Sequence, residues 1–369
     1  MSRGAFLSIL AALAAAAAAL IAAVAFFPPR GGEDEGPPKF SSEFYDTFDT
    51  QVTFTAFAPD EESFARYFKI AHDEMRRLHR LFDIYNLYGG EANIMTINER
   101  AGKSPVKVDP AIMDLLDAAK SACRETGGAV NVALGPVLAI WHDLRTAARE
   151  GSGGRKISIP SRSELAAAAV YTSVDDIEVD RDASTVFLRH EGMRLDVGAI
   201  AKGFAVQRTV ELLRASGLES GLLNAGGNVA AIGAPLDGRG AWNIGVSAPV
   251  EGGTSDLLDV LRVPRGSVVT SGNYQRYFTH DGRAYHHIID PSTLYPAENM
   301  RAVTVLHPDS TTADILSTAA FIMPPDAALA LIEAKGAEAM WVTSIGGVVM
   351  TDGYRKLSRL GGQSSQDLK

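Results

Sequence analysis

Two periodicities interleave irregularly along this chain, and the interleaving restricts it to folds in which helices pack on a sheet of short strands. Glu61 to Phe82 carries apolar residues at Phe64, Tyr67, Phe68, Ile70, Ala71, Met75, Leu78 and Leu81, the spacing of an amphipathic helix. Pro110 to Thr126 reads as a second helix, with Pro110 in its first turn and Gly127-Gly128 past its end. Ser161 to Ala169 and Ala199 to Ser216 read as two more, the latter closed by Gly217. Strand patterns lie between and around them: Asp49 to Phe57, Ile177-Val179, Thr185-Leu188, Trp242-Val246, Val268-Thr270, Ala302-Val305 and Ala339-Val342. Some of these runs are close enough to pair as hairpins, as Ile177-Val179 does with Thr185-Leu188. This order predicts an α+β fold with mixed or antiparallel sheets and packed helices, not a doubly wound parallel sheet. There is no internal repeat.

The ends differ from the middle. Ala5 to Phe27 carries no charged residue, and Arg3 stands before it. As a hydrophobic helix this run is long enough to span a membrane, although a secretory signal also fits, with Ala23-Val24-Ala25 as a cleavage site. Either reading sends the rest of the chain out of the cytoplasm. Residues 1–27 are therefore expected to be a signal peptide or transmembrane anchor, 28–40 a Pro/Gly-rich linker, 41–360 the folded domain and 361–369 a disordered tail. Cys123 is the single cysteine, which excludes an internal disulfide or a cysteine-based metal cluster and leaves the domain dependent on its core. A hydrophobic content of 46% supplies that core. The net charge of −9, with no Lys/Arg stripe, argues against a nucleic-acid partner.

Four segments carry candidate chemistry. Leu195 to Gly203 joins Asp196, two glycines and Lys202 at the start of a helix, and Asn224 to Asn228 follows as an Asn-Gly-Gly turn. Such a pair suits an anion with a divalent metal, but it equally suits a strand-to-helix turn that needs glycine for its backbone. In Thr311 to Ala319, leading threonines offer a helix cap and place Asp314 and Thr318 at i and i+4, so that a carboxylate and a hydroxyl face the same way. That pair with a backbone carbonyl would suit Mg²⁺, and an ordinary helix start explains it as well. Ser271 to Tyr277 runs through an Asp281-Gly282 turn to His286-His287 and Asp290-Pro291. Adjacent histidines on a strand point to opposite faces, so they do not read as a metal pair. Gly127 to Pro136, with Tyr85 and Trp141, suits a flat aromatic ligand or a tight core.

Taken together and in this order, these segments resemble the ApbE-type FAD:protein FMN transferases over nearly the whole region from Phe48 to about Tyr354. The resemblance implies FAD as substrate, Mg²⁺ as cofactor, and transfer of FMN to a Ser or Thr hydroxyl of an exported acceptor, with release of AMP. Redox subunits are the implied acceptors, and FAD binding or hydrolysis to FMN and AMP is the alternative activity. The implied FAD contacts are Phe48, Tyr85, Ala129, Val130, Asn131, Asp196, Lys202 and Ile289. Ala199, through its carbonyl, Asp314 and Thr318 are the implied metal ligands, Asp314 counts with His287 among the catalytic residues, and His287 is the candidate base. Phe48 and Asp49 replace the family's Met-Gly, and Asn131 stands where many members carry Asp.

Overall fold

The structure is a computed structural model that describes residues 36–149, 158–250 and 256–362. The apolar N-terminal run, residues 28–35 of the expected linker and residues 363–369 of the expected tail lie outside the described residues. Strands β1 (Lys39–Thr47) and β2 (Thr50–Phe57) precede helices α1 (Glu61–Phe82) and α2 (Ile94–Glu99), then β3 (Val106–Lys107) and α3 (Pro110–Glu125). Helices α4 (Gly135–Arg149) and α5 (Arg162–Ala168) follow, with β4 (Ile177–Asp180), β5 (Thr185–Leu188) and α6 (Ala201–Ala215). Strands β6 (Gly221–Ala225), β7 (Asn228–Ile232), β8 (Trp242–Ser247), β9 (Leu257–Val263) and β10 (Gly266–Gly272) come next. The chain continues through β11 (Tyr277–His280), β12 (Arg283–His286), β13 (Met300–His307), α7 (Ser310–Ile322) and α8 (Pro325–Ala334). It finishes with β14 (Glu338–Thr343), β15 (Val348–Met350) and α9 (Asp352–Leu357).

The central element is an eight-stranded sheet in the order β1-β2-β6-β7-β10-β13-β14-β15. Every named strand pairing among the described residues is antiparallel, as the hairpin spacing predicts. Alternation along the strands divides two cores. Val303, Val305, Ala339 and Trp341 face α7 and α8 on one side, while Ala302, Leu306, Met340 and Val342 face the β8-β9 hairpin on the other. Both faces being covered, β7 is buried at every position. On the helical side α1 and α6 pack with Phe54, Leu223 and Ile232 into the largest cluster. This burial holds the domain together without a disulfide.

Two strand and helix assignments differ from the sequence reading. Strand β1 starts inside the expected 28–40 linker, because Phe40 and Phe44 turn inward onto α1 while Glu43 and Tyr45 face out. Helix α4 follows the small residues at Ala129 to Gly135 and is set by the apolar spacing of Val137, Leu138, Trp141 and Leu144. The cap of α7 is also not a threonine: the Asp309 side chain accepts from Thr312 N–H at 2.7 Å.

Phe48 and Asp49 form the tight β1-β2 turn, both left-handed at φ 51° and 50°. This is the two-residue turn whose backbone twist suits an antiparallel hairpin, and glycine adopts it most cheaply. Asp49, which stands where the family resemblance puts glycine, therefore carries local backbone strain in this turn. Asp49→Gly should stabilise the domain by up to about 1 kcal/mol. A higher urea midpoint at constant slope is the expected result, and an unchanged or lower midpoint would show that Asp49 is unstrained.

Candidate functional site

The loop from Leu195 to Ile200 is fixed from several sides. The Asn98 side chain at the end of α2 accepts from Leu195 N–H at 2.7 Å and donates to Leu195 C=O at 3.0 Å. Asp196 N–H donates to Val132 C=O at 2.8 Å, and the Asp196 carboxylate accepts from Gly198 N–H at 3.0 Å. Burial pushes the Asp196 carboxyl above the usual range, against the pull of Gly198 N–H, Arg194, His142 and Arg145.

Helix α6 then begins without a side-chain cap of its own, because Ile200 occupies that position. Its cap comes from another helix: Asp314 Oδ2, on α7, accepts from Gly203 N–H at 2.8 Å. A Cβ on residue 203 would lie 2.4 Å from Asp314 Cβ and 2.6 Å from Ser310 O, so only glycine admits this approach. The same bond has a second effect. In a continued helical ladder Gly203 N–H would pair with the Ala199 carbonyl, and among the described residues no other donor reaches that carbonyl. Asp314 is 3% exposed and its Oδ1 likewise has no donor among the described residues. Burial raises its pKa, with Lys202 and Gly203 N–H only partly opposing the rise.

Thr318 lies one turn further along α7, and strand β10 brings Ser271 Oγ to 3.3 Å from Thr318 Oγ1 and 2.8 Å from Ser317 Oγ. A carboxylate, a hydroxyl and an unpaired carbonyl form the hard oxygen set that suits Mg²⁺. Among the described residues no group of three His, Cys, Asp or Glu side chains converges. The Asn-Gly-Gly segment serves its turn, and its Gly226 also lines the same cleft as Asp314 and Thr318. Gly226 and Gly227, at φ 57° and 89°, turn β6 into β7, and Gly227 N–H bonds the Asn224 side chain at 3.1 Å.

All the sequence-predicted site residues line one cleft of about 760 Å³: Phe48, Tyr85, Ala129, Val130, Asn131, Asp196, Ala199, Lys202, His287, Ile289, Asp314 and Thr318. Tyr85 is 50% exposed and packs its ring against His142 at 4.9 Å. Phe48 rests edge-on against His79 at 5.4 Å and donates its N–H to His79 Nδ1 at 3.2 Å. Asn131 has both ends of its amide committed to the wall: Oδ1 accepts from Ala133 N–H at 2.8 Å and Nδ2 donates to Thr172 C=O at 2.9 Å.

The two histidines separate in role. His286 is buried, with Nε2 donating to Ala297 C=O at 2.7 Å and Nδ1 accepting from Ile288 N–H at 3.2 Å, so both nitrogens serve the fold. His287 places Nδ1 at 3.3 Å from Arg276 C=O. A carbonyl only accepts, so Nδ1 carries the hydrogen and Nε2 keeps its lone pair. Burial, then the charges of Arg276, His286 and Arg145, push the His287 pKa down to about 3. The sequence reading missed Arg145 and Arg149 of α4, which line the same cleft with His142 of the Gly127 to Asp143 segment. Their spacing with Leu138 is helical, and recognising α4 as a helix was the missing step.

Asn131→Asp should destabilise the domain by about 1–3 kcal/mol, because a carboxylate would face Thr172 C=O without a hydrogen to donate. Thermal melting at neutral pH checks this. An unchanged midpoint would mean that the Thr172 bond is unimportant.

The comparisons with known proteins agree with this geometry. Residues 48–341 match the ApbE family. A Klebsiella pneumoniae protein named FAD:protein FMN transferase is 33% identical over 306 residues, covering 82% of this chain and 89% of its own length. A Treponema pallidum protein of the same name is 36% identical over 266 residues, covering 68% and 71%. Among solved structures, the ApbE protein of Thermotoga maritima superposes with a TM-score of 0.75 at 28% identity, over 87% of this chain and 99% of that one. The flavinyl transferase ApbE of Pseudomonas stutzeri gives 0.70 at 25% identity, over 89% and 98%. The chain belongs to the ApbE family of flavin transferases.

Proposed function

We propose that this protein transfers FMN from FAD to a Ser or Thr hydroxyl of an exported protein, in an Mg²⁺-dependent reaction that releases AMP. The observation that carries the reading is convergence: segments as distant in sequence as Phe48 and Thr318 supply the walls of a single cleft. The shared family and the name of the curated relatives support the transferase activity. The uncharged run from Ala5 to Phe27 supports an extracytoplasmic domain tethered by its N-terminus and acting on exported acceptors, redox subunits foremost. Among the described residues no helix is long and apolar enough to cross a membrane.

The chemistry follows from the groups present. The acceptor oxygen attacks the phosphorus of the FMN half, the bond from that phosphorus to the bridging oxygen breaks, and AMP leaves with that oxygen. The hydroxyl proton passes to His287 Nε2, which the Nδ1 bond to Arg276 C=O keeps as an acceptor. Phosphoryl transfer of this kind needs positioning and charge neutralisation more than a covalent enzyme intermediate. Lys202 supplies positive charge beside Asp314, and Tyr85 and Phe48 offer ring surfaces for the flat ends of the dinucleotide. Asp314, Thr318 and the Ala199 carbonyl would hold Mg²⁺, which neutralises the diphosphate when bound.

Mass spectrometry of an exported acceptor incubated with the enzyme, FAD and Mg²⁺ tests the reading. An added mass of FMN on a Ser or Thr, lost when EDTA replaces Mg²⁺, is the expected result. Free FMN and AMP with an unmodified acceptor would make the protein a hydrolase and contradict transfer.

A further inference from the structure

Helix α4 turns a cationic stripe toward the cleft. His142, Arg145 and Arg149 follow Leu138 at helical spacing and all line it, and Arg276 enters the same cleft from the segment between β10 and β11. Arg145 is half-buried, yet neither it nor Arg276 makes a side-chain hydrogen bond or ion pair among the described residues. Other arginines of the surface are paired, although several exposed ones are not. Arg77, Arg181 and Arg189 each hold carboxylates at bonding distance, in a chain whose net charge is −9. Two cations left unpaired beside each other repel, and burial of Arg145 adds to the cost. An arrangement of this kind is offset by an anion that enters with the ligand.

The cleft draws its positive charge from different elements, Lys202 from α6, Arg145 from α4 and Arg276 from the segment between β10 and β11. Lys202 is the cation beside Asp314, whereas Arg276 and Arg145 are the cations beside His287. The His287 ring and N–H both bond the Arg276 carbonyl, which ties the arginine segment to the candidate base. We propose that Arg145 and Arg276 form a second anion subsite, distinct from the Asp314–Thr318 end, that grips a phosphate of the dinucleotide diphosphate next to His287. This rests on the transferase reading of the cleft. Filling the subsite would also cancel the arginine charge that disfavours a proton on His287, so the base would strengthen once the substrate is seated.

Equilibrium binding of inorganic pyrophosphate, FAD and riboflavin to the full chain in EDTA tests the subsite without metal or turnover. Arg145→Gln and Arg276→Gln should each weaken pyrophosphate and FAD about tenfold or more while leaving riboflavin, which has no phosphate, unchanged. Arg66→Gln, on the exposed face of α1, serves as the charge control and should bind all three as the wild type does. Wild-type affinity for pyrophosphate and FAD in both variants would overturn the proposal, as would an equal loss of riboflavin. If the variants lose pyrophosphate as expected while the wild type forms no FMN adduct on an acceptor, the subsite stands and the transferase reading falls.

Discussion

The hydrogen bond from Gly203 N–H to the Asp314 carboxylate joins two helices at their closest point and sets the chemistry of the cleft. An N-terminal helix amide normally receives a cap from the residue just before the helix. Here Ile200 has no side-chain acceptor, so the cap crosses from α7 and brings a carboxylate into the positive end of α6. The exchange leaves the Ala199 carbonyl without a donor among the described residues and Asp314 with one oxygen uncommitted. A residue with no polar side chain thereby becomes a candidate ligand. Gly203 is the condition for all of it, since any Cβ would separate the helices.

The sheet makes that contact possible and frames it. Strand β10 lies beside β7 and β13 in the middle of the sheet, and it delivers Ser271 to the hydroxyl of Thr318. Burial on both faces gives these strands little freedom, so groups at their ends are held to a fixed place. The opposite wall comes from α4, the Asn131 turn and the β11-β12 hairpin. The Trp141, Tyr285 and Phe278 rings stack there and join α4 to the hairpin that leads to His287. Left-handed backbone occurs in the Phe48-Asp49 turn and also at Ser184, Asp281 and Leu294.

Much of this was legible in the residues. Long amphipathic runs marked α1 and α3, and hairpin spacing gave β4 with β5. The site residues were reached through family-like blocks, which encode three-dimensional proximity that periodicity does not contain. What escaped depended on tertiary context. The start of strand β1, Lys39 and Phe40, looked like linker, and its pairing with β2 decides its state. Helix α4 was hidden by Gly127-Gly128 before it and Gly135-Pro136 in its first turn, and with it went Arg145. Asn131 was read as an FAD contact, and its amide also braces the wall, a role visible only when Thr172 is seen beside it.

The account centres on Asp314 as both helix cap and metal ligand, and the two roles oppose each other in the metal-free protein. Because its folded pKa is raised by burial, the carboxylate lowers stability as pH climbs from the unfolded carboxylate range through that raised value, and the cost persists at neutral pH. A bound divalent ion would reverse the sign. Thermal melting of the wild type and Asp314→Asn, with and without Mg²⁺, therefore tests the claim most directly. The wild-type midpoint should rise with Mg²⁺, while the variant should melt at or above the metal-free wild type and show no Mg²⁺ shift. A variant that still gained stability from Mg²⁺ would contradict the account.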